Sequence, residues 1–284
     1  MQELPEGDVA PDLRWYITPC GIGDYLCVFM AVGAYLRKWP NAIAHIAYWP
    51  CPAAECILGW DRVAYTAITR QPDGYWDILQ QSSRHLDMPW WVCGFNTRKA
   101  WFDRLGLDWE HKRMYYRITP GEEQFASRVW GPQRPRVSLQ WHGGAAHKTY
   151  SHMREVYDWF EKRGANVVGL DQRGVSGGYG RALRGDYPVR EMLSIPATAD
   201  MHIGMCSGPS YAAIGSNVPT VMLLPYDDPD EIFEPLESPP VWSHLKFSDI
   251  EGIPLSDILR SCEEMWDHVV ENMCGQGAGE WRYW

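Results

Sequence analysis

The chain has 284 residues, 45% of them hydrophobic and 22% charged, with a formal net charge of −10 and a pI near 5.4. This composition excludes wholesale disorder and provides enough chain for two globular domains. The acidic balance argues against a protein that coats nucleic acid with a broad basic face. We expect a cytoplasmic protein, because the sequence has no apolar run of about eighteen residues, no signal peptide and no regular cysteine framework.

The first half of the chain alternates between strand and helix patterns. Residues 13–18 predict a strand, and the turn PCGIGD follows at residues 19–24. Apolar residues at helical spacing then predict a helix over residues 25–39, before a second strand at residues 43–48. This is a βαβ unit with a glycine-bearing loop at the carboxyl end of its first strand, where open α/β sheets bind their ligands. Further strands are predicted at residues 63–68, 75–79 and 88–95, and helices at residues 97–105 and 121–129.

The segment GPQRP, at residues 131–135, is the strongest break in the pattern. It predicts two domains, residues 1–131 and residues 132–284. The second domain begins with another βαβ unit, formed by a strand at 136–141, a helix at 151–163 and a strand at 166–170. Beyond this unit, helices are predicted at residues 189–197, 210–215 and 255–273, and strands at residues 201–205 and 219–224.

The stretch ADMHIGMCSGPSYAAIGSNVPTVMLL, residues 199–224, predicts a strand, a Gly-Pro turn, a small-residue helix and a strand. The first turn of such a helix presents backbone N–H groups at the positive end of the helix dipole. The turn at residues 206–209 is therefore a predicted anion site, suited to phosphate. An ordinary crossover, in which small residues only allow close packing, explains the same local pattern.

This stretch resembles the donor-site signature of glycosyltransferase family 9, the lipopolysaccharide heptosyltransferases. The matching positions are Ala199, Asp200, Ile203, Gly204, Ser207, Gly208, Pro209, Ala212, Ala213, Pro219 and Thr220. Cys206 stands where the family usually has an acidic residue, and Tyr211 stands where it usually has histidine. The turn at residues 21–24 with the following WPNAIAHIAYW, and the loop HGGAAHK at residues 142–148, resemble two further motifs of the family.

The resemblance extends from about residue 13 to residue 229 and implies a GT-B fold, in which two Rossmann-like domains with parallel sheets face a central cleft. It implies the inverting transfer of a sugar from a nucleotide-sugar to an acceptor hydroxyl, with no metal and no cofactor beyond this co-substrate. Asp24 would be the general base, and Lys148 would offset the charge of the leaving diphosphate. A helix-capping role explains Asp24 equally simply.

Other site residues are assigned by their place in these motifs. The predicted donor-binding residues are Gly23, His142, Gly143, Asp171, Cys206, Ser207, Gly208, Pro209, Ser210, Tyr211 and Asp227. The predicted acceptor-binding residues are Trp90, Trp91, Asn96 and Arg98. Core packing and surface charge explain the acceptor set without any ligand. No metal site is predicted, because the cysteine and histidine spacings fit none.

The acceptor stays open between a glycan, such as lipopolysaccharide, and a hydroxylated base in DNA. The two departures from the signature leave UDP-, GDP- or dTDP-linked sugars open as donors beside ADP-heptose. With the 16 tryptophans and a chain that is short for a heptosyltransferase, they make a divergent enzyme that glycosylates a DNA base, for instance one borne by a phage, a serious alternative. A non-catalytic nucleotide- or sugar-binding module of the same fold is the alternative from another class. A nicotinamide oxidoreductase is disfavoured, because the glycine fingerprint is incomplete. The sequence leaves the sugar, the nucleotide and the oligomeric state open.

Overall fold

The computed structural model describes residues 12–17, 21–68, 85–88, 101–108, 114, 116–143, 148–171, 180–183, 187–224, 242–246 and 250–275. The chain forms two compact units, Met1–Tyr115 and Tyr116–Trp284. The proline-rich segment at residues 131–135, where the sequence predicted the domain boundary, lies inside the second of these units.

The first unit contains a parallel four-stranded sheet. Its elements in chain order are strand β1 (Asp12–Ile17), helix α1 (Ile22–Lys38), strand β2 (Ala44–Tyr48), a 3₁₀ helix (Pro52–Ile57), strand β3 (Val63–Ala67) and strand β4 (His85–Met88). The strand order is β3-β2-β1-β4, with Leu13 of β1 in register with Ala44 of β2 and Leu86 of β4. The predicted strand at residues 75–79 and most of the one at residues 88–95 lie outside the described residues.

Helix α1 is the centre of this unit, since every residue from Tyr25 to Leu36 is buried. Its carboxyl end is closed by Arg62, whose guanidinium donates hydrogen bonds to the carbonyls of Leu36, Trp39 and Pro40 at 2.9, 3.2 and 2.7 Å. These carbonyls have no partner within the helix, and a cation there also suits the helix dipole.

The second unit contains a parallel six-stranded sheet. Its elements are helix α2 (Pro120–Trp130), strand β5 (Arg136–Gln140), helix α3 (Met153–Glu161), strands β6 (Asn166–Leu170) and β7 (Ala182–Leu183), helix α4 (Val189–Ala197), strand β8 (Met201–Met205), helix α5 (Gly208–Gly215), strands β9 (Thr220–Leu224) and β10 (Trp242–Lys246), and helix α6 (Leu255–Gly275). The order β10-β9-β8-β5-β6-β7 is the doubly wound Rossmann order, in which the winding reverses between β5 and β8.

Three of the inner strands of this sheet are buried along their whole length. All five residues of β6, β8 and β9 are buried, as expected when helices cover both faces of a parallel sheet. The apolar side chains on one face of these strands pack with Phe160 of α3 and Trp266 of α6 in one core. In the described part of the chain no helix is both long and apolar enough to cross a membrane.

Two polar contacts attach helix α2 to α4 and to the residue after it, within the second unit. Its capping residue Glu122 is buried and accepts hydrogen bonds from Arg190 of α4, one of them of 3.1 Å from Nη2. At the other end of α2, Trp130 Nε1 donates to Thr198 Oγ1 at 2.9 Å. The break at residues 131–135 therefore separates a helix from a strand within one unit.

Gly169 of β6 provides a test of the packing beside β5. A Cβ at this position would meet the Trp141 indole, with Cε2 at 2.8 Å and Cδ1 at 2.9 Å. We expect Gly169→Ala to lower the free energy of unfolding by about 1–3 kcal/mol, because the buried indole must move. Gly121→Ala is the matched control, since its nearest new contact is 4.0 Å away. It should raise stability by up to about 1 kcal/mol, because alanine favours the helix. Urea unfolding of both variants measures these changes, and a Gly169→Ala protein as stable as the wild type would contradict this packing.

Candidate active site

The carboxyl ends of β5 and β8 carry most of the predicted donor-binding residues. His142 and Gly143 follow β5 closely, and Cys206 and Ser207 follow β8. These two strands are neighbours at the point where the winding of the sheet reverses. Open α/β sheets bind ligands outside the carboxyl ends of their strands at this point.

Lys148 joins the two strand ends. Its Nζ donates a hydrogen bond of 2.9 Å to the carbonyl oxygen of Cys206. Gly143 allows this approach, because a Cβ there would lie only 3.1 Å from Lys148 Cδ, and the Gly143 N–H donates to the Lys148 carbonyl. Among the described residues, the ammonium group contacts this carbonyl and no carboxylate.

Helix α5 begins at this site with an uncapped first turn. Ser207 is the N-cap residue, but its side chain makes no capping hydrogen bond. The Ser207 hydroxyl instead donates to Gln140 Oε1 at 2.8 Å, and Gln140 Nε2 donates to the His142 carbonyl at 2.8 Å. The N–H groups of Gly208 and Ser210 thus lie at the positive end of the helix without a serine cap, while Pro209 has no N–H. The helix starts two residues before its predicted start.

A chain of buried hydrogen bonds lies behind this turn. Ser138 Oγ is 2.7 Å from His202 Nδ1, and His202 Nε2 is 3.1 Å from Ser210 Oγ. The Ser210 hydroxyl donates to the carbonyl of Met205 at 2.6 Å. Gly204 makes room for the chain, because a Cβ there would lie 2.6 Å from His202 Nε2 and 2.8 Å from Ser210 Oγ. The side chain of Ser210 is therefore engaged in the interior of the unit.

His202 is fully buried, and this burial lowers its pKa from 6.5 to about 3. The imidazole is therefore neutral at ordinary pH. The sequence patterns did not predict the hydrogen bonds of Ser138 and Ser210 to this imidazole, those of Gln140 to Ser207 and His142, or any role for His202. The available signal was polar residues within strand patterns that are otherwise apolar, at positions 138, 140 and 202.

Cys206 and Tyr211, the two departures from the family signature, contact each other. Cys206 Sγ lies 2.9 Å from Tyr211 Oη, and only 3% of each residue is exposed. Cys206 precedes helix α5, and Tyr211 is the fourth residue of the helix. The two replacements thus form a single thiol–phenol contact under the first turn of the helix.

His142 and Asp171 form a second buried pair. His142 Nδ1 lies 3.9 Å from Asp171 Oδ1, and Asp171 is fully buried at the carboxyl end of β6. Asp171 was predicted to bind donor, and in this structure its carboxylate lies against His142. The remaining predicted donor residue of this unit, Asp227, lies outside the described residues.

Asp24 lies in the first turn of α1, in the first unit. Its Oδ2 accepts a hydrogen bond of 3.2 Å from the N–H of Gly21, the N-cap residue. The helix therefore begins at Ile22, three residues before the predicted start, and Gly23 belongs to the helix rather than to the loop. Asp24 is partly exposed, so its carboxylate also meets solvent.

The predicted acceptor residues Trp90, Trp91, Asn96 and Arg98 lie outside the described residues. Within the described segments, no three His, Cys, Asp or Glu side chains are grouped closely enough to hold a metal ion.

No protein-family model matches the sequence, and no curated protein matches it significantly. Several solved structures have a similar fold. A glycosyl transferase family 9 protein from Veillonella parvula DSM 2008 aligns over 91% of this chain and 97% of its own, with a TM-score of 0.68 and 12% identity. The ADP-heptose lps heptosyltransferase II of E. coli aligns over 92% and 99%, with a TM-score of 0.59 and 13% identity. The E. coli heptosyltransferase WaaC with ADP-2-deoxy-2-fluoro heptose aligns over 88% and 99%, with a TM-score of 0.57 and 11% identity.

These likenesses define the fold class. The chain is an α/β protein with parallel sheets and the GT-B fold seen in glycosyltransferases of family 9. The fold class predicted from the sequence is thereby confirmed.

The burial of His202 predicts a specific dependence of stability on pH. The unfolded chain takes up a proton on His202 near pH 6.5, whereas the folded protein does so only near pH 3. The free energy of unfolding therefore falls as the pH drops through this window, by about 2 kcal/mol between pH 7 and pH 5 from this group. We expect His202→Gln to lose this part of the pH dependence.

Urea unfolding at pH 7 and pH 5 measures the effect. Thr220→Val is the control, because Thr220 is fully buried and donates to the Val218 carbonyl at 2.8 Å but has no titrating group. This variant should keep the wild-type difference between the two pH values. An unchanged difference in His202→Gln would show that the buried histidine does not titrate as stated.

Proposed function

We propose that the protein is a glycosyltransferase that moves a sugar from a nucleotide-sugar to an acceptor hydroxyl, with inversion and without a metal ion. One observation carries this proposal. The ammonium group of Lys148 and the uncapped first turn of α5 lie together at the winding reversal of a Rossmann-like sheet. A cation beside a helix N-terminus is a site for a phosphate-bearing ligand.

In this proposal the second unit binds the donor diphosphate. The N–H groups of Gly208 and Ser210 hydrogen-bond to phosphate oxygens, and Lys148 pairs with their charge. Ser207, whose hydroxyl donates to Gln140, positions the turn. As the sugar leaves, negative charge builds on the diphosphate, and these preorganised groups stabilise it. The WaaC structure with ADP-2-deoxy-2-fluoro heptose supports a nucleotide-sugar as the donor class.

The first unit supplies the base. The hydroxyl oxygen of the acceptor attacks the anomeric carbon as its proton passes to Asp24, and the bond between that carbon and the diphosphate oxygen breaks. Oδ2 of Asp24 is held by the Gly21 N–H, so Oδ1 is the oxygen that takes the proton. A single displacement of this kind inverts the configuration at the anomeric carbon. The acceptor is a glycan, such as lipopolysaccharide, or a hydroxylated DNA base.

One observation favours a non-catalytic nucleotide- or sugar-binding module. The hydrogen bond between Asp24 and Gly21 is a helix-capping contact, which needs no substrate to explain it. The effects of Asp24 substitutions on folding stability and on sugar transfer must therefore be measured separately.

Lys148→Ala tests the donor site. We expect the affinity for the nucleoside diphosphate to fall at least about tenfold, because a charged hydrogen bond to phosphate is lost. Thermal stabilisation by ADP, UDP, GDP and dTDP selects the nucleotide, and calorimetry then measures its affinity. Lys162→Ala is the control, since Lys162 is an exposed cation at the end of α3. A wild-type protein that none of these nucleotides stabilises would refute the donor site.

Substitutions of Asp24 separate its proposed role as general base from its role in capping helix α1. Asp24→Asn keeps an amide oxygen for the Gly21 N–H and should lose only about 0.3 kcal/mol of stability. Asp24→Ala loses the cap and should cost about 0.5–1 kcal/mol. We expect both variants to bind the nucleotide like the wild type and to lose at least about a hundredfold in sugar transfer.

Transfer is measured as acceptor-dependent release of the nucleoside diphosphate. Full activity in Asp24→Asn would exclude the base role. A wild-type protein that binds the nucleotide but transfers no sugar would favour the non-catalytic module.

A further inference from the structure

The hydrogen bonds around His202 have a definite direction. The Met205 carbonyl can only accept, so the Ser210 hydroxyl must donate to it. Ser210 Oγ then accepts from His202 Nε2, which therefore carries the imidazole proton. Nδ1 is left as an acceptor, and the Ser138 hydroxyl donates to it. With the imidazole kept neutral by burial, this arrangement gives all three polar side chains a partner.

Core packing alone does not account for this histidine. His202 is the second residue of a strand whose other residues are apolar or glycine, and it is fully buried. Removing an imidazole from water is unfavourable unless its nitrogens are hydrogen-bonded, whereas an aliphatic residue would fill the space at no such cost. Because burial lowers its pKa to about 3, His202 is also unsuited to proton transfer near neutral pH. The role that is left for His202 is the placement of the Ser210 side chain, to which its Nε2 is hydrogen-bonded.

We propose that His202 is a positioning residue that, through Ser210, holds the first turn of α5 in the orientation that binds the donor diphosphate. This inference rests on the proposed function. Ser210 carries one of the two N–H groups assigned to the phosphate, and its hydroxyl is held at both its donor and its acceptor side. Loss of the Nε2–H bond leaves that hydroxyl held on its donor side alone, and the ligand must then complete the ordering of the turn when it binds.

Ser207, three residues before Ser210, is held by a separate relay of hydrogen bonds. Ser207 donates to Gln140, which donates to the His142 carbonyl, so this relay ends on the loop after β5. The two relays both run from β5 to the start of α5, and they share no atom. Changes at His202 therefore act on Ser210 without removing the hydrogen bonds of Ser207.

The two amide variants of His202 separate positioning from packing. His202→Gln can place its amide nitrogen near the position of Nε2 and so keep the bond to Ser210. His202→Asn can place its amide oxygen near Nδ1 and so keeps only the bond to Ser138. We expect the affinity for the nucleoside diphosphate to fall about tenfold in His202→Asn and to stay within about threefold of the wild type in His202→Gln. Inorganic pyrophosphate, which has no nucleobase, should show the same ratios of affinity between each variant and the wild type.

Calorimetry with ADP, UDP, GDP, dTDP and pyrophosphate, on variants first checked for cooperative melting, makes the measurement. Thr220→Val is again the control, because it removes a buried hydroxyl at the amino end of β9 and should leave the affinity unchanged. Equal affinities in the Asn and Gln variants would overturn the inference alone. A wild-type protein that binds none of these probes would overturn the proposed function and the inference with it.

Ser210→Ala decides the question if the His202 variants do not fold. It removes the hydroxyl and leaves the backbone N–H in place, so the affinity should fall about tenfold, as in His202→Asn. Wild-type affinity in Ser210→Ala would also overturn the inference.

Discussion

The hydrogen bond between Lys148 and the carbonyl of Cys206 is the contact on which the candidate donor site depends. It joins the loop after β5 to the loop after β8, and these strands are neighbours only because the sheet reverses its winding between them. The contact brings a cation to the start of α5, where the helix dipole already favours an anion. The absence of a side chain at Gly143 allows the lysine to reach this position. The charge of Lys148, the dipole of α5 and the space left by Gly143 thus act together at the ends of β5 and β8.

The interior behind this site is more polar than a parallel sheet requires. Ser138, Gln140 and His202 lie on strands buried between layers of helices, where polar groups are costly unless they are paired. Each makes hydrogen bonds directed toward the strand ends or the first turn of α5. Burying these polar groups costs little free energy while every hydrogen bond of the network is made. Because the loss of one partner leaves another group buried and unpaired, the start of helix α5 is sensitive to single substitutions. Stability and ligand binding are therefore linked through the same side chains.

In the first unit, one hydrogen bond of Asp24 serves both the start of helix α1 and the proposed chemistry. Asp24 stabilises the start of α1 by accepting the Gly21 N–H, and the same bond orients its carboxylate. A base held by its own helix turn loses little entropy when it engages a substrate. The capping contact and the proposed base role are thus compatible, and this is why the Asn and Ala variants are informative together.

The sequence by itself determined the order and type of most elements, but it did not predict the strands β7 and β10, and it placed β4 too late in the chain. The strands at residues 166–170 and 201–205 and the helix at residues 189–197 were predicted to the residue, because buried strands and amphipathic helices have local patterns. Local patterns were less accurate at helix starts, since the first turns of α1 and α5 depend on Gly21, Asp24 and Ser207. Only the tertiary structure decided that Ser138 meets His202, 64 residues away, and that Cys206 meets both Lys148 and Tyr211. Such contacts depend on which strands become neighbours, and strand pairing across long crossovers is decided by the packing of the whole sheet.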